Sequence, residues 1–137
     1  MAAWRLYFDG GARGNPGPAA AAFVIYDADG SEVARWNEVL GTATNNVAEY
    51  SGAVAGLKRA VELGVTELDV FGDSELIIKQ LRGEYKVKHP DMKRLYAEAV
   101  ELLARIPSFT ISHVYRSDNA VADGLVNEAL DAQGSTA

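Results

Sequence analysis

Cysteine is absent from the 137 residues, so the chain can have neither a disulfide framework nor a thiolate metal site. Any metal would have to be held by carboxylates, amides or one of two histidines, which favours Mg²⁺ or Mn²⁺ over zinc. No stretch approaches the roughly 20 apolar residues that cross a bilayer. The opening segment meets Asp9 too early for a secretory signal, so the cytoplasm is the expected location and no membrane contact is expected. Basic charge is also scarce: 13 Lys and Arg stand against 19 Asp and Glu, a net charge of −6. That balance argues against coating nucleic acid by bulk attraction, because phosphate neutralisation needs cations. The scarcity is uneven, however. Lys79, Arg82, Lys86, Lys88, Lys93 and Arg94 oppose only Glu84 and Asp91, which makes that segment locally +4. An acidic chain can therefore still carry one basic face, although a solvated helix face with loose ion pairs would look the same.

What is present is enough apolar content, 48 %, to fill one core in a chain of this length. There is no internal repeat and no linker long enough to divide domains, so one domain is expected over residues 1–130, with a frayed, small and polar tail over 131–137. Trp4 to Phe8 reads as a strand ending at Asp9, followed by an irregular loop from Gly10 to Pro18. Ala19 to Tyr26 and Glu32 to Leu40 flank Asp29-Gly30, a hairpin signal. Val47, Tyr50, Val54, Leu57 and Val61 recur at steps of three and four, which predicts a helix from Asn46 to Leu63 stopped by Gly64. Glu67 to Phe71 reads as a buried strand, Glu75 to Leu81 and Asp91 to Ile106 as helices, and Phe109 to Tyr115 as an alternating strand. A last helix runs from about Asn119 to Leu130. Strands separated by helices favour parallel, right-handed crossovers, so the fold class is α/β with a mixed sheet and helices on its faces.

Four carboxylates occupy telling positions in that order. Asp9 ends the first strand, Asp73 ends the fourth, Glu49 lies in the first turn of the long helix, and Asp123 lies in the last helix. Singly, Asp73 can be a helix cap, Glu49 a dipole partner and Asp123 a surface residue. Asp9 is harder to dismiss, since a carboxylate closing an apolar strand gains nothing obvious there. Together they form a pattern, because sites in open α/β sheets form outside the carboxyl ends of neighbouring parallel strands. Gly52, Ala53, Gly56 and Ala60 make a small-residue stripe below Glu49 that would let the helix press on the sheet. Asn119, Asp123 and Asn127 form a polar stripe that could face the same spot. Carboxylates so gathered raise one another's pKa unless a cation neutralises them, and a divalent metal site follows.

The strings Phe8-Asp9-Gly10-Gly11-Ala12-Arg13-Gly14-Asn15-Pro16-Gly17, Thr44-Asn45-Asn46-Val47-Ala48-Glu49-Tyr50, Gly72-Asp73-Ser74 and Asn119-Ala120-Val121-Ala122-Asp123 resemble, in order and spacing, the four motifs of the type 1 ribonuclease H family. The resemblance spans Trp4 to Leu130. It implies a five-stranded mixed sheet, three antiparallel strands then two parallel, with helices on both faces. It also implies that Asp9, Glu49, Asp73 and Asp123 bind two Mg²⁺ ions, or Mn²⁺, and catalyse internal cleavage of the RNA strand of an RNA/DNA hybrid, leaving 5′-phosphate and 3′-hydroxyl ends. Two hard cations roughly 4 Å apart can activate a water and stabilise the leaving oxygen without a covalent intermediate. Choice of RNA would rest on the 2′-hydroxyl, which the backbone of Gly10, Gly11 and Ala12 could approach. By the same resemblance Asn15, Asn45 and Asn46 contact the hybrid, Thr44 helps hold a DNA-strand phosphate, and Glu75 lies near the RNA, with Asn119 also at the substrate. Asn45 and Asn46 are expected to double as helix caps.

Two features depart from the family. The basic protrusion of many relatives is replaced by the short segment Gly83 to Pro90 with Lys86 and Lys88. The histidine-bearing loop before the last Asp is reduced to Arg116-Ser117-Asp118, which makes Arg116 the candidate for substrate contact and leaves His113 inside a strand and His89 at the surface. A monomer is expected, and double-stranded RNA remains open as a second substrate. Alternatives are an exonuclease or transposase-like nuclease of the same fold, and a non-catalytic hybrid-binding module. A dinucleotide-binding domain would need a helix directly after the glycines, where Pro16, Pro18 and a hairpin stand instead.

Overall fold

The computed structural model describes residues 3–134. Its elements are β1 (Trp4–Ala12), β2 (Gly17–Tyr26), β3 (Glu32–Ala43), α1 (Asn45–Glu62), β4 (Glu67–Gly72), α2 (Glu75–Leu81), α3 (Pro90–Leu103), β5 (Ser108–His113), a short 3-10 turn (Arg116–Asn119) and α4 (Ala120–Gly134). They form one sheet in the order β3-β2-β1-β4-β5. The first three strands pair antiparallel, whereas β4 pairs parallel to both β1 and β5. This is the five-stranded mixed sheet expected from the sequence.

Each face of the sheet has its own apolar layer. Leu6, Phe8, Phe23 and Ile25 point towards α1, α2 and α3, and join Tyr50, Leu57, Ile77 and Leu95 in the larger core. The opposite face packs Ala20 and Ala22 against Leu125, Val126 and Leu130 of α4. Burial on both faces explains why β2 reads as an unbroken apolar run rather than an alternation. Gly64 closes α1 at φ 72°, a backbone conformation that side chains other than glycine resist.

Among the places where the structure differs from the sequence reading, four bear on the site or its surroundings. β1 does not stop before the glycines: Gly10, Gly11 and Ala12 continue the strand, pairing with Ala21, Ala20 and Ala19. Small residues on both partners let the ladder persist where side chains would collide with α1, so the true loop is only Arg13 to Pro16. α1 is capped by Thr44, whose hydroxyl accepts from the Val47 N–H, and not by Asn45 or Asn46. β5 ends at His113, leaving Tyr115 outside it. Finally, α4 runs to Gly134, so the first four residues of the expected frayed tail are helical. Leu130 anchors that last turn in the core, and Arg13 ion-pairs with Asp131. The remainder of the expected tail, residues 135–137, lies outside the described residues.

Candidate active site

The parallel pairing of β1 with β4 sets Tyr7 beside Phe71. Two residues further on, Asp9 within β1 and Asp73 just past the end of β4 come together beside the carboxyl end of β4. α1 supplies the third carboxylate by close approach. A Cβ on Gly52 would sit 2.5 Å from the Asp9 carbonyl oxygen, and one on Gly10 would sit 2.4 Å from the Glu49 nitrogen. Only hydrogens fit there, so the helix backbone lies directly on the strand and delivers Glu49 to Asp9. Glu49 is the fifth residue of α1, beyond the first turn expected from sequence, and helix contact with the sheet holds it rather than the helix dipole.

Carboxylate oxygens of Asp9, Glu49 and Asp73 lie within 4.8 Å of one another. Asp9 and Glu49 are buried, at 5 % and 7 % exposure, and Glu49 Oε2 has no hydrogen-bond partner among the described residues. Burial, reinforced by the charge of Asp73, pushes the Asp9 carboxyl up to about 7. Burial and the charges of Asp9 and Asp73 also drive Glu49 well above the usual carboxylate range. Mutual repulsion with an orphaned buried oxygen is the signature of a site built for a cation, and an all-oxygen donor set suits a hard divalent ion. These residues therefore fit a metal.

Asp123 faces this cluster from α4 across a cleft that Gly11, Ala12, Asn45 and Arg116 also line. Arg116 reaches it, with Nη2 at 3.2 Å and Nε at 3.4 Å from Oδ1. Asn127, the next member of the polar stripe, comes to 3.5 Å of Oδ2. The cleft thus gathers Asp9, Gly10, Gly11, Ala12, Asn45, Glu49, Asp73, Arg116 and Asp123. Gly10 is buried under α1, so its smallness serves packing, whereas Gly11 faces the cleft with only Val126 and Asn45 nearby.

The other expected residues stand around this centre. Asn15 and Asn45 brace the rim: the Asn45 N–H donates to Asn15 Oδ1 at 3.0 Å, and the Ala12 N–H donates to Asn45 Oδ1 at 2.8 Å. Thr44 and Asn46 are half-buried at the head of α1. Glu75 is exposed and ion-paired with Lys79 at 2.9 Å. Asn119, expected at the substrate, is instead 1 % exposed. Its Nδ2 donates to the Phe8 carbonyl at 2.9 Å and to Asp73 Oδ2 at 3.1 Å, so it orients a carboxylate rather than meeting solvent. His113 ends β5 with Nε2 3.3 Å from the Asp73 carbonyl oxygen, and His89 caps α3 by accepting from the Asp91 N–H. Arg13 also walls the cleft. Sequence reasoning passed over it because an arginine in a glycine-rich loop carries no periodicity that would place it.

A model of the family described as reverse transcriptase-like matches residues 7–129. A bifunctional protein of Mycobacterium tuberculosis is 48 % identical over 130 residues, 94 % of this chain but 36 % of that protein. The chain therefore spans about a third of the length of the mycobacterial relatives it matches. A ribonuclease HI of Halobacterium salinarum is 46 % identical over 125 residues, covering 91 % of this chain and 63 % of the relative. Among solved structures, a ribonuclease H1 known as LC11, in complex with an RNA/DNA hybrid, superposes with a TM-score of 0.89 at 41 % identity, covering 95 % of this chain and 98 % of that one.

Proposed function

The chain belongs to the ribonuclease H family, and from that premise we infer that it is an endonuclease hydrolysing the RNA strand of RNA/DNA hybrids, with residues 1–130 as the nuclease domain. The observation that carries this reading is the convergence of Asp9, Glu49 and Asp73 within 4.8 Å beside a cleft that Asp123 faces. Asp9, Glu49, Asp73 and Asp123 would hold two Mg²⁺ ions, or Mn²⁺. Bound there, the ions would activate a water and stabilise the leaving oxygen of a phosphodiester, giving 5′-phosphate and 3′-hydroxyl ends.

The protein's own contribution is placement. Asn119 fixes the Asp73 carboxylate from behind. Gly11 leaves strand backbone open at the cleft, where it can reach a ribose 2′-hydroxyl, and the Asn15–Asn45–Ala12 braces keep that rim rigid. Arg116, released from Asp123, can meet a backbone phosphate. Thr44, Asn46 and Glu75 lie further out and would contact the strands flanking the cut. The reading includes action as a monomer in the cytoplasm, and the assay below decides whether double-stranded RNA is a second substrate. Among the described residues, no helix is long and apolar enough to cross a membrane.

End-labelled RNA/DNA hybrid, double-stranded RNA, double-stranded DNA and single-stranded RNA are incubated with Mg²⁺, Mn²⁺ or chelator, alongside Asp73→Asn. Metal-dependent internal cuts in the RNA strand of the hybrid, abolished in the variant, are expected. A hybrid bound but left intact would make this a binding module, and shortening only from 3′ ends would make it an exonuclease.

A further inference from the structure

Behind the carboxylate cleft, the same face of the sheet carries a second concavity of about 300 Å³, within the range in which small ligands bind. Its wall is aromatic: Tyr7 stacks on Phe71 with centroids 4.9 Å apart and meets Tyr26 edge-on at 5.8 Å. At one end stands Arg5, which joins none of the ion pairs formed among the described residues. Gly30 leaves its guanidinium uncrowded, since even a Cβ there would lie 3.6 Å from Nη2. Asp69, paired with Arg5 across β1 and β4, accepts instead from the Thr110 hydroxyl at 2.7 Å.

Asp118, Asn119 and Val121 also line it. The exposed Asp118 carboxylate supplies an acceptor in the same concavity as the cation and the aromatic wall. Asn119 is 1 % exposed, with Nδ2 engaged by Phe8 and Asp73 and Oδ1 out of reach of solvent, so it packs the wall rather than meeting a ligand.

We propose that this concavity binds a nucleoside monophosphate, with the base against the Tyr7–Tyr26 wall, its N–H edge towards Asp118, and the phosphate on Arg5. Aromatic side chains stack any base, the planar guanidinium fork matches a phosphate, and the Asp118 carboxylate favours a base bearing a ring or exocyclic N–H. The site is separate from the proposed hydrolytic centre, although Asn119 is shared between its wall and the hydrogen bond to Asp73.

Calorimetric titration of the full chain with guanosine 5′-monophosphate, in chelator so that no metal draws phosphate into the carboxylate cleft, tests this directly. Saturable binding is expected, weakened at least tenfold for guanosine or inorganic phosphate alone. Arg5→Gln, at an exposed position, and Val121→Trp, which fills the mouth from a 41 % exposed position, should each weaken it at least tenfold with unchanged thermal midpoints. Absence of saturation at about 10 mM nucleotide overturns the proposal. So does binding that survives both substitutions and disappears with Arg116→Gln, which would place the nucleotide in the carboxylate cleft.

Discussion

Asp9 meets Asp73 and Glu49 where little water reaches, and its carboxyl titrates near about 7 instead of 3.8. The folded chain therefore binds this proton more tightly than the unfolded chain does. Stability from the group is full below about 4, declines as pH rises, and is at its lowest above about 7 in the absence of metal. Asp9→Asn should accordingly raise the thermal midpoint in chelator by several degrees at pH 8 and by much less at pH 5. Added Mg²⁺ should raise the midpoint of the parent protein and leave the variant unmoved. Scanning calorimetry of both proteins checks this, and identical midpoints at both pH values would sink the electrostatic account. Asn119→Ala leaves the Phe8 carbonyl unpaired and frees Asp73, so a destabilisation of about 1–3 kcal/mol is expected in urea unfolding, together with reduced hybrid cleavage. Sequence put Asn119 on a polar stripe of the last helix with Asp123, whereas it closes the 3-10 turn before α4 and is buried, which depends on how α4 docks and which no local pattern reveals.

At the level of elements, α1 does the most to assemble the site, and it does so through residues that lack side chains. Gly52→Ala would force a Cβ to 2.5 Å from the Asp9 carbonyl and 2.9 Å from that of Ala22. The helix must then lift from the sheet, at about 3 kcal/mol or more, and metal-dependent stabilisation should fall as Glu49 moves. Gly124→Ala provides the opposite case, since nothing lies within 4 Å of a Cβ there and α4 should gain about 0.5–1 kcal/mol from helix propensity. Chemical denaturation of the pair gives opposite signs if close packing, rather than glycine flexibility, is what matters. The stripe of Gly52, Ala53, Gly56 and Ala60 made this contact legible in the sequence. The continuation of β1 through Gly10, Gly11 and Ala12 was not, because glycine pairs read locally as a turn and only the alanines of β2 hold them in a ladder.

Across the whole molecule, charge is divided by region. Within the basic segment, Lys79 and Arg82 are paired with Glu75 and Glu84, while Lys86 and Lys88 stand exposed in the connector before α3. Nucleic acid would therefore meet a modest positive face on an acidic chain. Substituting Lys86 and Lys88 by Gln should weaken hybrid binding and flatten its dependence on log salt by about 0.9 for each phosphate no longer neutralised, with no change in thermal midpoint. Fluorescence anisotropy over a KCl series measures it, and an unchanged slope would place the hybrid elsewhere.

Sequence alone determined the order of strands and main helices and the long helix with its glycine stop, and it singled out four carboxylates as candidates, because hydrophobic period and motif spacing are local properties of the chain. It also excluded thiolate chemistry outright. Only the tertiary structure decided which carboxylates gather, since Asp9, Glu49 and Asp73 come from elements far apart in the chain that meet through sheet register and one close helix contact. It likewise decided that Thr44 rather than its asparagine neighbours caps α1, that α4 extends past Leu130, and that Asn119 faces inward. Each of these depends on which surface packs against which, and packing partners distant in the chain leave no local trace.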